Sequence, residues 1–88
     1  VEDGLPATPD MRIIVPQRVQ ALIDSGNAPA PILRTREDDG IKLYFANDNW
    51  VLLRFSGTEP LLRIFAEADT REKARALVDW LKSAAQAG

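Results

Sequence analysis

The chain has no histidine and no cysteine, and its 88 residues include a single methionine and a single tyrosine. Without His, no side chain has an ordinary pKa near neutrality, which removes Ser-His-Asp and Cys-His nucleophile systems and imidazole proton shuttles. Without Cys or His, a structural zinc site and a disulfide framework are also excluded. A cytoplasmic location is the one expected from such a composition. Long apolar runs are absent too, so neither a membrane span nor a signal-peptide core is expected, and no membrane partner. Positive charge is not in excess: eleven Lys and Arg face thirteen Asp and Glu, for a formal charge of −2. A phosphate-backbone binder normally carries the opposite balance, so no nucleic-acid partner is expected. A chain this short buries on folding roughly 60–65% of the surface it exposes unfolded, enough for one core but not for a deep closed active site as well. It is therefore not expected to be a complete metabolic enzyme. Because it begins at Val1 and its only Met is Met11, it is expected to be a piece of a larger protein with the remainder upstream.

Two Pro, one Gly and three acids without apolar periodicity make residues 1–10 read as an interdomain linker, with one domain over 11–88. Met11 to Val15 is a short apolar, β-branched run and is expected as a strand. Pro16 then suits a first helical position, Val19, Leu22 and Ile23 recur at helical spacing, and Gly26 ends the helix. Two prolines make Asn27 to Pro31 irregular. Ile32 to Thr35 reads as a short strand before the acidic turn Glu37-Asp38-Asp39-Gly40, whose spacing lacks the alternating ligands of a calcium loop.

Ile41, Leu43 and Phe45 alternate with Lys42 and Tyr44; after Asn47-Asp48-Asn49, Val51, Leu53 and Phe55 alternate with Trp50, Leu52 and Arg54. This predicts a β-hairpin with one core face. Leu62, Ile64 and Ala66 give a further strand over 61–67 its inward set. Asp69 and Glu72 have the spacing of a reciprocal helix N-cap, and Ala74, Leu77, Val78, Leu81 and Ala85 trace a helical stripe. Arg71, Glu72, Arg75, Asp79 and Lys82 lie opposite, as a solvated face. Trp80 beside the stripe reads as packing, and Tyr44 and Trp50 as an aromatic pair across the hairpin. Two amphipathic helices on one face of a mostly antiparallel sheet of about four strands, an α+β arrangement, bury both apolar sets.

The segment Arg54-Phe55-Ser56-Gly57-Thr58-Glu59-Pro60, closing at Arg63, places two hydroxyls and a glycine between two arginines. Gly57 can take a positive φ and turn backbone N–H groups into one concave spot, and Ser56 and Thr58 add hydroxyl donors. Arg54 can present a planar fork to two oxygens at once. These residue types suit a phosphate cradle. The same residues also suit an ordinary turn, with Arg54 paired to Glu59 or Glu67.

The run Trp50-Val-Leu-Leu-Arg54-Phe-Ser56-Gly57-Thr58-Glu59-Pro60-Leu-Leu-Arg63-Ile-Phe-Ala-Glu67 resembles the signature of the C-terminal domain of the α-D-phosphohexomutases: phosphoglucomutase, phosphomannomutase and phosphoglucosamine mutase. The resemblance extends from about Met11 through the last helix. It implies the TATA-box-binding-protein-like version of the two-helix, antiparallel-sheet fold. It also implies a parent enzyme of four domains that interconverts sugar 1- and 6-phosphates, an intramolecular phosphotransfer classed as isomerisation in carbohydrate metabolism. In that family a phosphoserine lies in the first domain, a Mg²⁺ site in the second and a sugar-recognising loop in the third. The fourth, which this chain resembles, binds the phosphate that is not being transferred and holds no cofactor of its own. By the resemblance, Arg54, Ser56, Gly57, Thr58 and Arg63 bind substrate phosphate, none of them catalytic, and the partners are a phosphosugar and the three other domains. Glu59 and Pro60 shape the loop. Phe55 departs from the Pro that many members carry, leaving the strand end less rigid. An alternative role, of another class, is a stand-alone module that presents Tyr44, Trp50, Arg54, Arg63 and Phe65 on an open sheet face to RNA or peptide.

Overall fold

A computed structural model describes residues 1–86. Five strands and two helices follow in the order β1 (Glu2–Pro6), α1 (Met11–Asp24), β2 (Arg34–Arg36), β3 (Ile41–Tyr44), β4 (Trp50–Phe55), β5 (Leu61–Glu67) and α2 (Arg71–Gln86). The strands form one antiparallel sheet in the order β1-β5-β4-β3-β2. Of the expected domain over 11–88, residues 87 and 88 lie outside the described residues.

The alternation in β3, β4 and β5 sends Ile41, Leu43, Val51, Leu53, Leu62, Ile64 and Ala66 to one face, where they are buried. Against them pack Ala74, Leu77, Val78, Leu81, Ala84 and Ala85 of α2, and Val15 and Val19 of α1. The hairpin turn is tight: Asn47 and Asp48 both have φ near +60°, as a type I′ turn requires, and their short polar side chains tolerate it. Asn49 and Asp69 exchange two 3.0 Å hydrogen bonds, amide Nδ2 to carboxylate and backbone N–H to Oδ1. This pins the hairpin turn to the entry of α2.

Four expectations change. Residues 2–6 are not linker but the edge strand β1, paired over its whole length with β5. Backbone hydrogen bonding to the free edge of β5 defines this strand, with Leu5 its one buried apolar side chain. The expected strand at Met11 to Val15 is the first part of α1, so Pro16 lies inside the helix and not at its start. A backbone bond from Met11 N–H to Thr8 O begins the turn earlier, and Val15 and Val19, four residues apart, then share one buried stripe across the proline. The strand expected at Ile32 to Thr35 is β2, shifted to Arg34–Arg36. At α2 the cap is Thr70, whose Oγ1 accepts from the Lys73 N–H at 3.1 Å, and not an Asp69–Glu72 box.

The outer face of α2 is solvated as expected at Arg71, Glu72, Arg75 and Asp79, while Lys82 is partly buried beside β1. Asp3 shares its side of β1 with Leu5, toward the helices, and its carboxylate accepts from Lys82 Nζ at 2.9 Å and Arg75 Nη2 at 3.0 Å. The Lys82 hydrogen bond, then the Gly4 N–H, pull the Asp3 pKa from 3.8 down to about 2. Trp80 packs against the core as expected, with its indole N–H buried and unpartnered.

Candidate functional site

The face of the sheet away from the helices carries Lys42 and Tyr44 from β3, Trp50, Leu52 and Arg54 from β4, and Arg63, Phe65 and Glu67 from β5. Cross-strand register orders them: Tyr44 stands opposite Trp50, Leu52 opposite Phe65, and Arg54 opposite Arg63. Tyr44 and Trp50 thus form the expected pair, with Lys42 Nζ 5.0 Å and 4.4 Å from their ring centroids and the Arg34 guanidinium 4.2 Å from Tyr44. These rings already meet the chain's own cations, which leaves them poorly placed to stack on a base.

At the other end of β4 and β5 lies the loop 56–60. It closes through Ser56 N–H to Leu61 O and Leu61 N–H to Glu59 O, both 2.8 Å. Inside it, the Thr58 and Glu59 N–H groups turn toward one acceptor, the Ser56 hydroxyl, at 3.3 Å and 3.2 Å. These bonds are longer than the usual 2.9–3.0 Å. Gly57 does not use a positive φ: the glycines in that region are Gly26 and Gly40. Among the described residues, nothing beyond its chain neighbours lies within 4 Å of where a Gly57 side chain would begin, so its contribution is open approach to the backbone.

Arg54 does not pair with Glu59 or Glu67. Its Nη1 lies 3.8 Å from Asp39, with both side chains more than half exposed, a separation and exposure at which an ion pair contributes little. Arg63 pairs with Glu2 of β1 at 3.0 Å. The fold therefore gathers all five expected phosphate-binding residues at one end of the sheet, with Arg54 and Arg63 on the open face and Ser56, Gly57 and Thr58 in the adjoining loop.

Two neighbours of the loop carried no clear signal in the sequence. Gly40 has φ +114°, and a Cβ there would meet the Leu53 carbonyl at 2.5 Å and the Arg54 Cα and Cβ at 3.3 Å. The acidic turn can run against the backbone of Arg54 because position 40 has no side chain. Arg12, in the first turn of α1, donates from Nη2 to the Ser56 carbonyl at 3.0 Å and lies 5.0 Å over the Phe55 ring. With the segment around Arg12 read as a strand, nothing pointed to this contact. Among the described residues, no group of three or more acidic side chains converges as a metal site, and no helix is long and apolar enough to cross a membrane.

Fold and loop together define a small α+β domain: one sheet, helices on one side, and an arginine-flanked hydroxyl loop at its end. The model of the phosphoglucomutase/phosphomannomutase C-terminal domain matches residues 11–83, and the chain belongs to that family. Among curated proteins, it is 35% identical over 75 residues to a probable phosphoglucosamine mutase of Methanothermobacter thermautotrophicus, covering 85% of this chain and 16% of that protein. It is 62% identical over 37 residues to a phosphoglucomutase/phosphomannomutase of Thermococcus kodakarensis, covering 42% of this chain and 8% of that protein. A phosphoglucosamine/phosphogalactosamine mutase of Sulfurisphaera tokodaii is 50% identical over 44 residues, half of this chain and 10% of its own length. The chain thus matches only a small fraction of the length of these relatives.

Proposed function

We propose that this domain holds the phosphate of a phosphosugar while other domains of a phosphohexomutase carry out phosphoryl transfer between the 1- and 6-positions. The observation that carries this reading is the register of Arg54 opposite Arg63 beside the loop. Like charges directly opposite on adjacent strands repel, and a phosphate dianion at that end of the sheet would turn this repulsion into two charge-assisted contacts. The loop supplies the neutral donors: the Thr58 and Glu59 amides already converge on one oxygen, Ser56 Oγ, and phosphate oxygens could replace that acceptor.

In this role the domain binds and orients; bonds are made elsewhere. Positioning a reactant is itself a large part of the barrier reduction in phosphoryl transfer. The open loop contacts only a phosphate, so it serves either end of a bisphosphorylated intermediate and is indifferent to the hexose. Magnesium would belong to another domain of the parent enzyme, and the other domains are the partners this role requires. The test is an amide-detected NMR titration of the chain with glucose 1-phosphate, glucose 6-phosphate and an oligonucleotide. Shifts confined to 54–59 and 63 with the sugar phosphates are expected. Shifts across Tyr44, Trp50 and Phe65 with the oligonucleotide, and none with the sugar phosphates, would overturn the proposal in favour of a nucleic-acid module.

A further inference from the structure

We infer that Arg12 is a positioning residue for the loop: from the first turn of α1 it fixes the Ser56 carbonyl, and so the direction in which the following amides point. The inference rests on the phosphate reading of the loop and deepens it. Two contacts define the role. The Arg12 guanidinium donates to Ser56 O at 3.0 Å, across 44 residues of sequence, and its Cζ lies 5.0 Å from the centroid of the half-buried Phe55 ring. Phe55 and Ser56 are the last strand residue and the first loop residue, so one side chain clamps both sides of the bend. The Ser56 hydroxyl is the acceptor on which the Thr58 and Glu59 amides converge, so the orientation of residue 56 sets the shape of the cradle. A lysine could supply the charge but not a delocalised guanidinium that sits over the ring while directing an N–H donor to the carbonyl.

The test uses the 88-residue chain and inorganic phosphate, with two readouts: hydrogen exchange of the Thr58 and Glu59 amides without ligand, and phosphate affinity from chemical shifts. Arg12→Ala is expected to speed exchange at both amides and weaken phosphate binding about fivefold or more, as loss of a charged hydrogen bond and an exposed cation–π contact implies. Arg12→Lys should recover less than half of that loss, whereas Ile13→Ala, at an exposed position on the same turn, should change neither readout. Full recovery by lysine would show that charge alone matters and would overturn the positioning role, as would unchanged exchange and affinity in Arg12→Ala. If the unaltered chain gives no shifts with phosphate, the phosphate reading fails, and exchange alone then decides whether Arg12 orders the loop.

Discussion

Arg54 and Arg63 face each other directly across β4 and β5; among the described residues each pairs with an exposed carboxylate from outside the pair, Asp39 at 3.8 Å for one and Glu2 at 3.0 Å for the other. Two guanidinium groups in adjacent register repel one another, and neither contributes to the core on the opposite face.

Replacing Arg54 should therefore separate binding from stability. Arg54→Ala is expected to weaken sugar-phosphate binding by about tenfold or more, the loss of one charge-assisted contact, while changing unfolding free energy by less than about 1 kcal/mol. In a mutase carrying this domain the same change should raise KM and lower kcat/KM. Titration and urea unfolding on the same variant check both halves; a destabilised variant with undiminished affinity would mark Arg54 as structural.

Binding should also appear as stabilisation, because a ligand that binds only the folded chain raises its unfolding free energy. The Tm of the chain should rise with glucose 6-phosphate more than with potassium chloride of equal ionic strength, and Arg63→Ala should reduce the difference. Equal shifts from both salts would indicate screening alone.

Acid should loosen β1 from α2. The Asp3 carboxyl titrates at about 2 in the folded chain instead of at 3.8, so its stabilising contribution is complete above pH 3.8 and is lost as pH falls toward 2. Asp69, lowered mainly by its hydrogen bond from Lys73 and then by that from Asn49, acts in the same direction. Stability measured by urea unfolding should fall steeply through this window, and Asp3→Asn should flatten the slope without abolishing it. An unchanged slope would mean that the Lys82 and Arg75 contacts do not persist in solution.

Two backbone positions give sharper tests. Gly40→Ala sets a Cβ 2.5 Å from the Leu53 carbonyl at φ +114° and should cost about 1–3 kcal/mol. Thr70→Ala removes the cap of α2 and should cost about 1 kcal/mol, recovered by Thr70→Ser. Denaturation midpoints decide each; a neutral Gly40→Ala would mean that the turn moves away from Arg54 freely.

The hairpin, β5 and α2 were legible because each buries one face, and burial writes a period of two or of 3.6 into the residues. Ile41, Leu43, Val51 and Leu53 alternate, and Ala74, Leu77, Val78 and Leu81 recur each turn. The loop stood out by its hydroxyls and arginines, which suited a phosphate cradle and an ordinary turn alike; the resemblance to the family decided between them. What escaped had no such imprint. An edge strand pairs through its backbone, so β1 shows only Leu5 as an apolar signature, and its inward-facing Asp3 looks like solvent chemistry until Lys82 and Arg75 are placed beside it. The β-branched run before Pro16 favours a strand locally, and only packing against α2 makes it helix. Arg12 followed from that error: its contact exists only once α1 begins at Met11.

The two margins of the sheet have a colloidal consequence. An exposed strand edge invites another chain to add on by backbone pairing, and short, charged or proline-bearing edges discourage it. Here β2 is three exposed residues with two arginines, Arg34-Thr35-Arg36, and β1 ends at Pro6, which has no N–H to offer. Both margins thus disfavour edge-to-edge addition of further copies, which leaves the exposed loop at the sheet's end as the surface open to other molecules.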